Sequence, residues 1–394
     1  MAYSLSRKAF QQELHGQPTD LFTLRGAGGL QVAVSNYGAR LVQVAVPDGQ
    51  GGLVDVALGY DSLQGYLDGQ LSMGALIGRW AGRLRSGLLT LPDGAQRQLP
   101  TNSGPHHHHG GPKGSRFQVF AVDDVQADAL TLNHTFRTED DGVPGTLRLQ
   151  LRLHITADNA LHMVWTGEAL DAPTLLNITG HAFFNLVGAG STHGHTLHVP
   201  ASRYVPLAAD VCPAGLIQPV DATPFDFRQA RSVGDAVAQP SEQLALAGGL
   251  DHYLVLDDHV WDEEGAALTP PVSPITPQQG LRLAALLSEP LSGRTMEVWS
   301  TAPGVQVYAG HGLKADPLRD QGRGAEQGVW LWQPGDGICL EPMEYPDAPN
   351  QPGFPVRWLA PGDVVQGAIV YRFTGGGWAG LGEGCDDTVH GSFK

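Results

Sequence analysis

The sequence predicts an all-β protein, a large antiparallel sandwich, on three observations. Apolar residues recur with period two in segment after segment, turn dipeptides separate those segments, and no alternation of strands with long amphipathic helices appears. Leu30, Val32 and Val34 begin the pattern near the N-terminus. Leu130, Leu132, His134 and Phe136 repeat it, and Leu147, Leu149, Leu151, Leu153 and Ile155 give its clearest instance, with Arg148, Gln150, Arg152 and His154 between them. Successive side chains of a strand point to opposite faces, so each run buries one face and leaves the other polar. Residues 296–300, 304–309 and 368–374 read as further strands. Asp48-Gly49, Asp93-Gly94, Asp141-Gly142 and Asp336-Gly337 supply turns. The best helical stretch, residues 239–246, is short.

Composition agrees with this. Charged residues make up 16% of the 394, against about 25% in an average globular chain. The 52 glycines and 28 prolines amount to about a fifth of the chain. Such a chain does not build long charged helices. No repeat of fixed period appears, and no composition shift divides the chain. One domain over residues 1–375 is expected, with a glycine-rich tail over 376–394. Proline-rich residues 259–280 and polar residues 314–328 read as surface excursions.

The formal net charge of −16 excludes a phosphate-backbone reader, which needs a basic face, and disfavours docking on an anionic membrane. Cys212, Cys339 and Cys385 are too few and too widely spaced for a disulfide framework or a paired-cysteine zinc site. Residues 1–30 lack the apolar core of a signal peptide, which leads us to expect a cytoplasmic protein. Phosphate-loop, dinucleotide and serine-hydrolase motifs are absent.

Four polar clusters could carry chemistry. Asn177-Ile-Thr-Gly-His181-Ala-Phe-Phe-Asn185-Leu, read as a strand, puts Asn177, Thr179, His181 and Phe183 on one face. By spacing alone His181 could equally be a hydrogen-bonded structural histidine. In residues 338–352 an apolar strand end delivers Glu341 to a proline-punctuated loop, a way to hold a carboxylate rigidly or simply a solvated glutamate. His106, His107, His108 and His109 precede Gly110-Gly111; neighbours in a strand alternate faces, so no metal site is expected, and a polar ligand fits better. Arg79 and Arg83, four apart, could fork around hydroxyls or a carboxylate, or Arg79 could pack over Trp80.

In order along the chain, these clusters resemble the aldose 1-epimerase family. The resemblance runs through Asn36-Tyr37-Gly38-Ala39-Arg40, Leu58-Gly59-Tyr60-Asp61, residues 78–83, 106–114 and 177–186, Leu250-Asp251-His252, residues 303–308 and 338–352. It covers about residues 20–375. Each motif is weak alone, and the ordered series is strong.

The resemblance implies a β-sandwich of the galactose mutarotase type that interconverts the α and β anomers of a free aldose, with no cofactor and no metal. It assigns Glu341 as base and His181 as acid, and Arg83, His109, Asp251 and Gln306 as sugar-binding residues. Phe183 or Tyr345 would be the aromatic platform. The expected partner is a monosaccharide, with no nucleic acid or membrane, on a monomer or homodimer. Gly82 and Gly180 stand where members often carry asparagine, His108 where an apolar residue is usual, and Met343 where glutamine is frequent. Three alternatives stay open. They are a hexose-phosphate 1-epimerase drawing on Arg79 or Arg85, a non-catalytic sugar-binding module, and a glycoside-processing enzyme with two flanking carboxylates.

Overall fold

The computed structural model describes residues 4–69, 72–257, 280–313 and 332–375. Nearly all of the proline-rich excursion, the polar loop 314–328, and the tail with Cys385 lie outside them.

A nine-stranded sheet forms one wall. It runs from Ala121–Val125 through Ala129–Phe136, Leu147–Ile155, Ala160–Ala169, Val364–Thr374, Arg294–Ser300, Arg282–Glu289 and Thr196–His198 to Arg231–Ser232. Neighbours pair antiparallel throughout, as at Leu151 opposite Trp165 and Met163 opposite Ile369. The period-two reading holds here. In Leu147–Ile155 the leucines and Ile155 are buried while Arg148, Gln150 and Arg152 are exposed.

A five-stranded sheet lies across the core, ordered Gln218–Pro219, Arg203–Val205, Asp251–Val255, Gly304–Tyr308, Cys339–Met343. A four-stranded sheet, Leu21–Arg25 to Leu53–Asp55, closes one end. Val32 and Val34 from the latter, Leu149 and Leu153 from the nine-stranded sheet, and Val305, Val307 and Leu340 from the five-stranded sheet share one buried cluster. Because strand faces alternate, burying Val305, Val307 and Leu340 turns Gln306, Tyr308, Cys339 and Glu341 to the opposite side. That side carries the cleft.

Helices are short: Leu63–Asp68, Thr138–Asp141, Val233–Val237 and Glu242–Ala247. Among the described residues, no helix is long and apolar enough to cross a membrane.

The structure separates the two arginines that the sequence suggested might act as a fork. Arg79 is fully buried and pairs with Asp141, Nη2 to Oδ1 at 2.8 Å and Nε to Oδ2 at 2.9 Å. It also donates to Gly145 O and Thr174 Oγ1. It lies over Phe136, not Trp80. Breaking a buried ion pair by deleting one partner strands the other charge, at a cost of about 3–5 kcal/mol. Arg79→Leu is therefore expected to lower the urea midpoint by that equivalent. An unchanged midpoint would show that the pair contributes nothing.

Candidate active site

Three backbone arrangements bring the cleft residues together. In the five-stranded sheet, Gln306 pairs with Glu341 and Asp251 with Tyr308, so four polar side chains share one face on three adjacent strands. Beside it, Arg83–Leu84 pairs with His107–His108, placing Arg83 opposite His108. His109 N donates to Gly82 O at 3.1 Å while Gly82 N donates to His109 Nδ1 at 3.2 Å, which leaves the His109 proton on Nε2. The third piece is the chain around His181. Only Thr179–Gly180 there is a paired strand, joined to Leu76–Ile77, so the long strand expected over residues 177–186 is not formed. Two backbone bonds hold His181 instead: its N donates to Ala75 O, and Gly74 N donates to its carbonyl, each at 2.9 Å. The expected alternation of faces survives. His181 and Phe183 face the cleft, and Ile178, Ala182 and Phe184 enter the main core.

The result is a cleft of about 400 Å3 lined by Arg83, His109, His181, Asp251, Gln306 and Glu341. At its base His181 Nε2 lies 3.6 Å from Glu341 Oε1, with the side chains 10% and 3% exposed. Gln306 Nε2 donates to Asp251 Oδ1 at 2.6 Å. Glu341 Oε2 and Arg83 Nε are buried without a hydrogen-bond partner, so the cleft presents unused polar atoms to whatever enters it. The His109 ring stands edge-on to His181 with centroids 5.3 Å apart, and Phe183 and Tyr308 flank His181 at 5.3 and 6.5 Å. Cys339 Sγ sits behind it, 3.6 Å from Nδ1.

The aldose 1-epimerase family model matches residues 20–372. Rat galactose mutarotase is 30% identical over 361 residues, covering 91% of this chain and 95% of the rat protein. The aldose 1-epimerase of Escherichia coli K12 is 30% identical over 365 residues, 91% of this chain and 96% of its own. The chain belongs to the aldose 1-epimerase family. Its class is that of isomerases acting on carbohydrates. The fold agrees: an aldose epimerase homologue from C. elegans superposes with a TM-score of 0.77 at 26% identity, covering 91% of this chain and 100% of that one. A galactose 1-epimerase from Lactobacillus acidophilus does so with 0.75 at 25% identity, covering 93% and 97%.

Against the family pattern, this epimerase-family cleft differs from the sequence expectations at several places. The four histidines do not simply alternate. His109 has φ of 52°, in the left-handed region, so both His108 and His109 turn to the cleft, their rings 3.7 Å apart. His107 instead bonds Pro100 O at 2.7 Å, and His106 meets Cys212 Sγ at 3.3 Å. Arg79 is absent from the cleft wall, as shown above. Tyr345 is buried against Tyr253 and Phe354 and does not line the cleft; Tyr308 joins Phe183 as its aromatic surface. Asn177 is a brace: it donates to Ala81 O and accepts from Glu344 N, tying the arginine segment to the Glu341 strand. Gly82 has φ of +80°, and a Cβ there would sit 3.2 Å from Pro346, which accounts for the missing side chain. Arg116, Ser72 and His311 also line the cleft and carry no motif that spacing could reveal.

Burial dominates the electrostatics. It pushes His181 down to about 4 and raises the Glu341 carboxyl well above the usual carboxylate range. Asp251 pushes Glu341 further up and Arg83 opposes it, while Asp251 favours the charged form of His181. In the sugar-free cleft both groups are thus driven toward their neutral forms. Donor atoms of His109, His181 and Glu341 all lie within 4.8 Å of one another, as do those of His106, Asp210 and Cys212. These are the two places among the described residues whose donors could surround a metal ion.

Proposed function

We propose that the protein interconverts the α and β anomers of a free aldose of the galactose or glucose type. The observation carrying this reading is the His181–Glu341 contact of 3.6 Å at the base of a cleft whose walls offer Arg83, His109, Asp251 and Gln306. Opening a cyclic hemiacetal takes the proton from the anomeric hydroxyl and delivers one to the ring oxygen, breaking the C1–O5 bond. Rotation about C1–C2 presents the other carbonyl face, and reclosure reverses both transfers. One proton is accepted and one is given, and a neighbouring carboxylate and imidazolium have that capacity. Glu341 takes the anomeric proton and His181 protonates the ring oxygen.

For these roles Glu341 must be ionised and His181 protonated when sugar is bound. Arg83 stabilises the Glu341 carboxylate and Asp251 the imidazolium, while Asp251 also opposes ionisation of Glu341. Sugar hydroxyls donating to Glu341 favour its carboxylate. Asp251 and Arg83 grip ring hydroxyls, His109 borders the ring, and Phe183 and Tyr308 face its apolar side. The reaction as written draws on no redox cofactor and no metal.

Polarimetry of freshly dissolved α-D-galactose and α-D-glucose tests this. The expected result is faster approach to the same final rotation, with disaccharides yielding no new reducing ends. No acceleration with these sugars, pentoses or sugar phosphates sinks the reading and leaves a binding role. The phosphate alternative loses its expected cations: Arg79 is engaged by Asp141 and Arg85 by Asp210, and neither lines the cleft.

A further inference from the structure

The cleft holds a second guanidinium besides Arg83, one that the proposed ring opening does not use. Arg116 lies in the single turn Ser115–Phe117, just beyond the histidine run. It lines the same cleft and is only 9% exposed. Its one side-chain hydrogen bond goes to Ser72 Oγ at 3.4 Å, and its guanidinium lies over the Phe117 ring at 4.6 Å. Among the described residues it forms no ion pair, whereas Arg79, Arg85, Arg228 and Arg372 each have a carboxylate. The neighbouring buried Arg40 differs as well, because its guanidinium is capped by the carbonyls of Met73 and Arg116. Arg116 is therefore a largely buried cation facing a ligand cleft with no carboxylate paired to it among the described residues. Burial beside Arg40 brings its pKa down to about 10. A buried charge left in this state is costly until a counter-charge arrives.

Its position says what that counter-charge belongs to. Its guanidinium bonds Ser72, and the turn from Ser72 to Ala75 holds both backbone groups of His181, whose N donates to Ala75 O and whose carbonyl accepts from Gly74 N. Arg116 thus stands on the His181 side of the pair. His181 meets the ring oxygen in the reaction proposed above, and the ring oxygen is bonded to C5. A cation beside His181 is consequently beside the substituent that C5 carries.

We infer that the cleft is built for an aldose bearing a carboxylate on C5, a hexuronic acid, whose carboxylate Arg116 receives. The inference rests on the mutarotase reading of the same cleft. A planar guanidinium matches a carboxylate with two parallel N–H bonds. A phosphate dianion would call for a second free cation on that side, and Arg79 and Arg85 are already paired.

The test compares anomer exchange of D-galacturonate, D-galactose and galactose 6-phosphate by NMR, using wild type, Arg116→Met and Arg116→Lys. We expect wild-type kcat/KM for galacturonate to exceed that for galactose by roughly 10- to 100-fold, the range for a hydrogen bond to a charged group. That ratio should collapse in Arg116→Met and persist in part in Arg116→Lys. A wild-type ratio at or below one overturns the inference while leaving mutarotation standing, as does an unchanged ratio in Arg116→Met. Faster exchange of the phosphate ester than of galacturonate overturns the choice of carboxylate. If no sugar is turned over, the mutarotase reading fails, and calorimetric titration of galacturonate against galactose decides the carboxylate claim by itself: equal affinity rejects it. Should Arg116→Met not fold, the wild-type and Arg116→Lys ratios decide.

Discussion

Glu341→Gln and His181→Asn are each expected to slow anomer exchange by about 10²–10⁴-fold, the usual contribution of one positioned acid or base. The two losses should not multiply in the double variant if the residues act as a unit. In the proposed reading Arg83, Asp251 and Gln306 still hold the ring hydroxyls, so the effect should fall on kcat more than on KM. Folding serves as the internal control. Burial already drives both groups toward neutrality, so a neutral amide in either place removes no charge that the folded chain depends on. Melting temperatures near wild type beside lost activity assign the loss to chemistry. Full activity in either variant would remove that residue from the proton transfers.

Stability is expected to fall steeply between pH 6.5 and about pH 4. His107, His181, His195 and His252 are buried, and burial pushes each down to about 4 from 6.5. Above pH 6.5 these imidazoles are neutral in both states and carry no pH dependence. Below it the unfolded chain takes up protons that the folded chain refuses, so unfolding becomes easier as pH drops. The loss is roughly 1.4 kcal/mol per pH unit for each such histidine. Glu341 acts in the opposite sense, because its raised carboxyl keeps a proton that the unfolded chain has released. The four histidines together outweigh it. Urea midpoints at pH 7, 6 and 5 measure the slope, and midpoints that stay level across that range contradict the burial argument.

Several features were legible along the chain, and each rests on local order. The alternation at Leu147, Leu149, Leu151 and Leu153 fixes which face of that strand is buried, and the structure buries it. The same rule puts Gln306 and Glu341 together on the face that Val305, Val307 and Leu340 vacate. The order of motifs shared with the aldose 1-epimerases located Arg83, His109, His181, Asp251, Gln306 and Glu341, which meet in one cleft.

What escaped sequence reading depends on partners far away. Arg79 and Arg83 have the same side chain four residues apart, yet Asp141 takes one into the interior and the cleft receives the other. A single left-handed residue at His109 sends adjacent histidines to one side, and no periodicity anticipates it. Arg116 has no motif; what marks it is that it lines the cleft without an ion pair among the described residues. The protonation of His181 and Glu341 is of the same kind. Side-chain type and spacing determine which face a residue takes, while charge state and binding role are set by burial and by neighbours that only chain folding brings close.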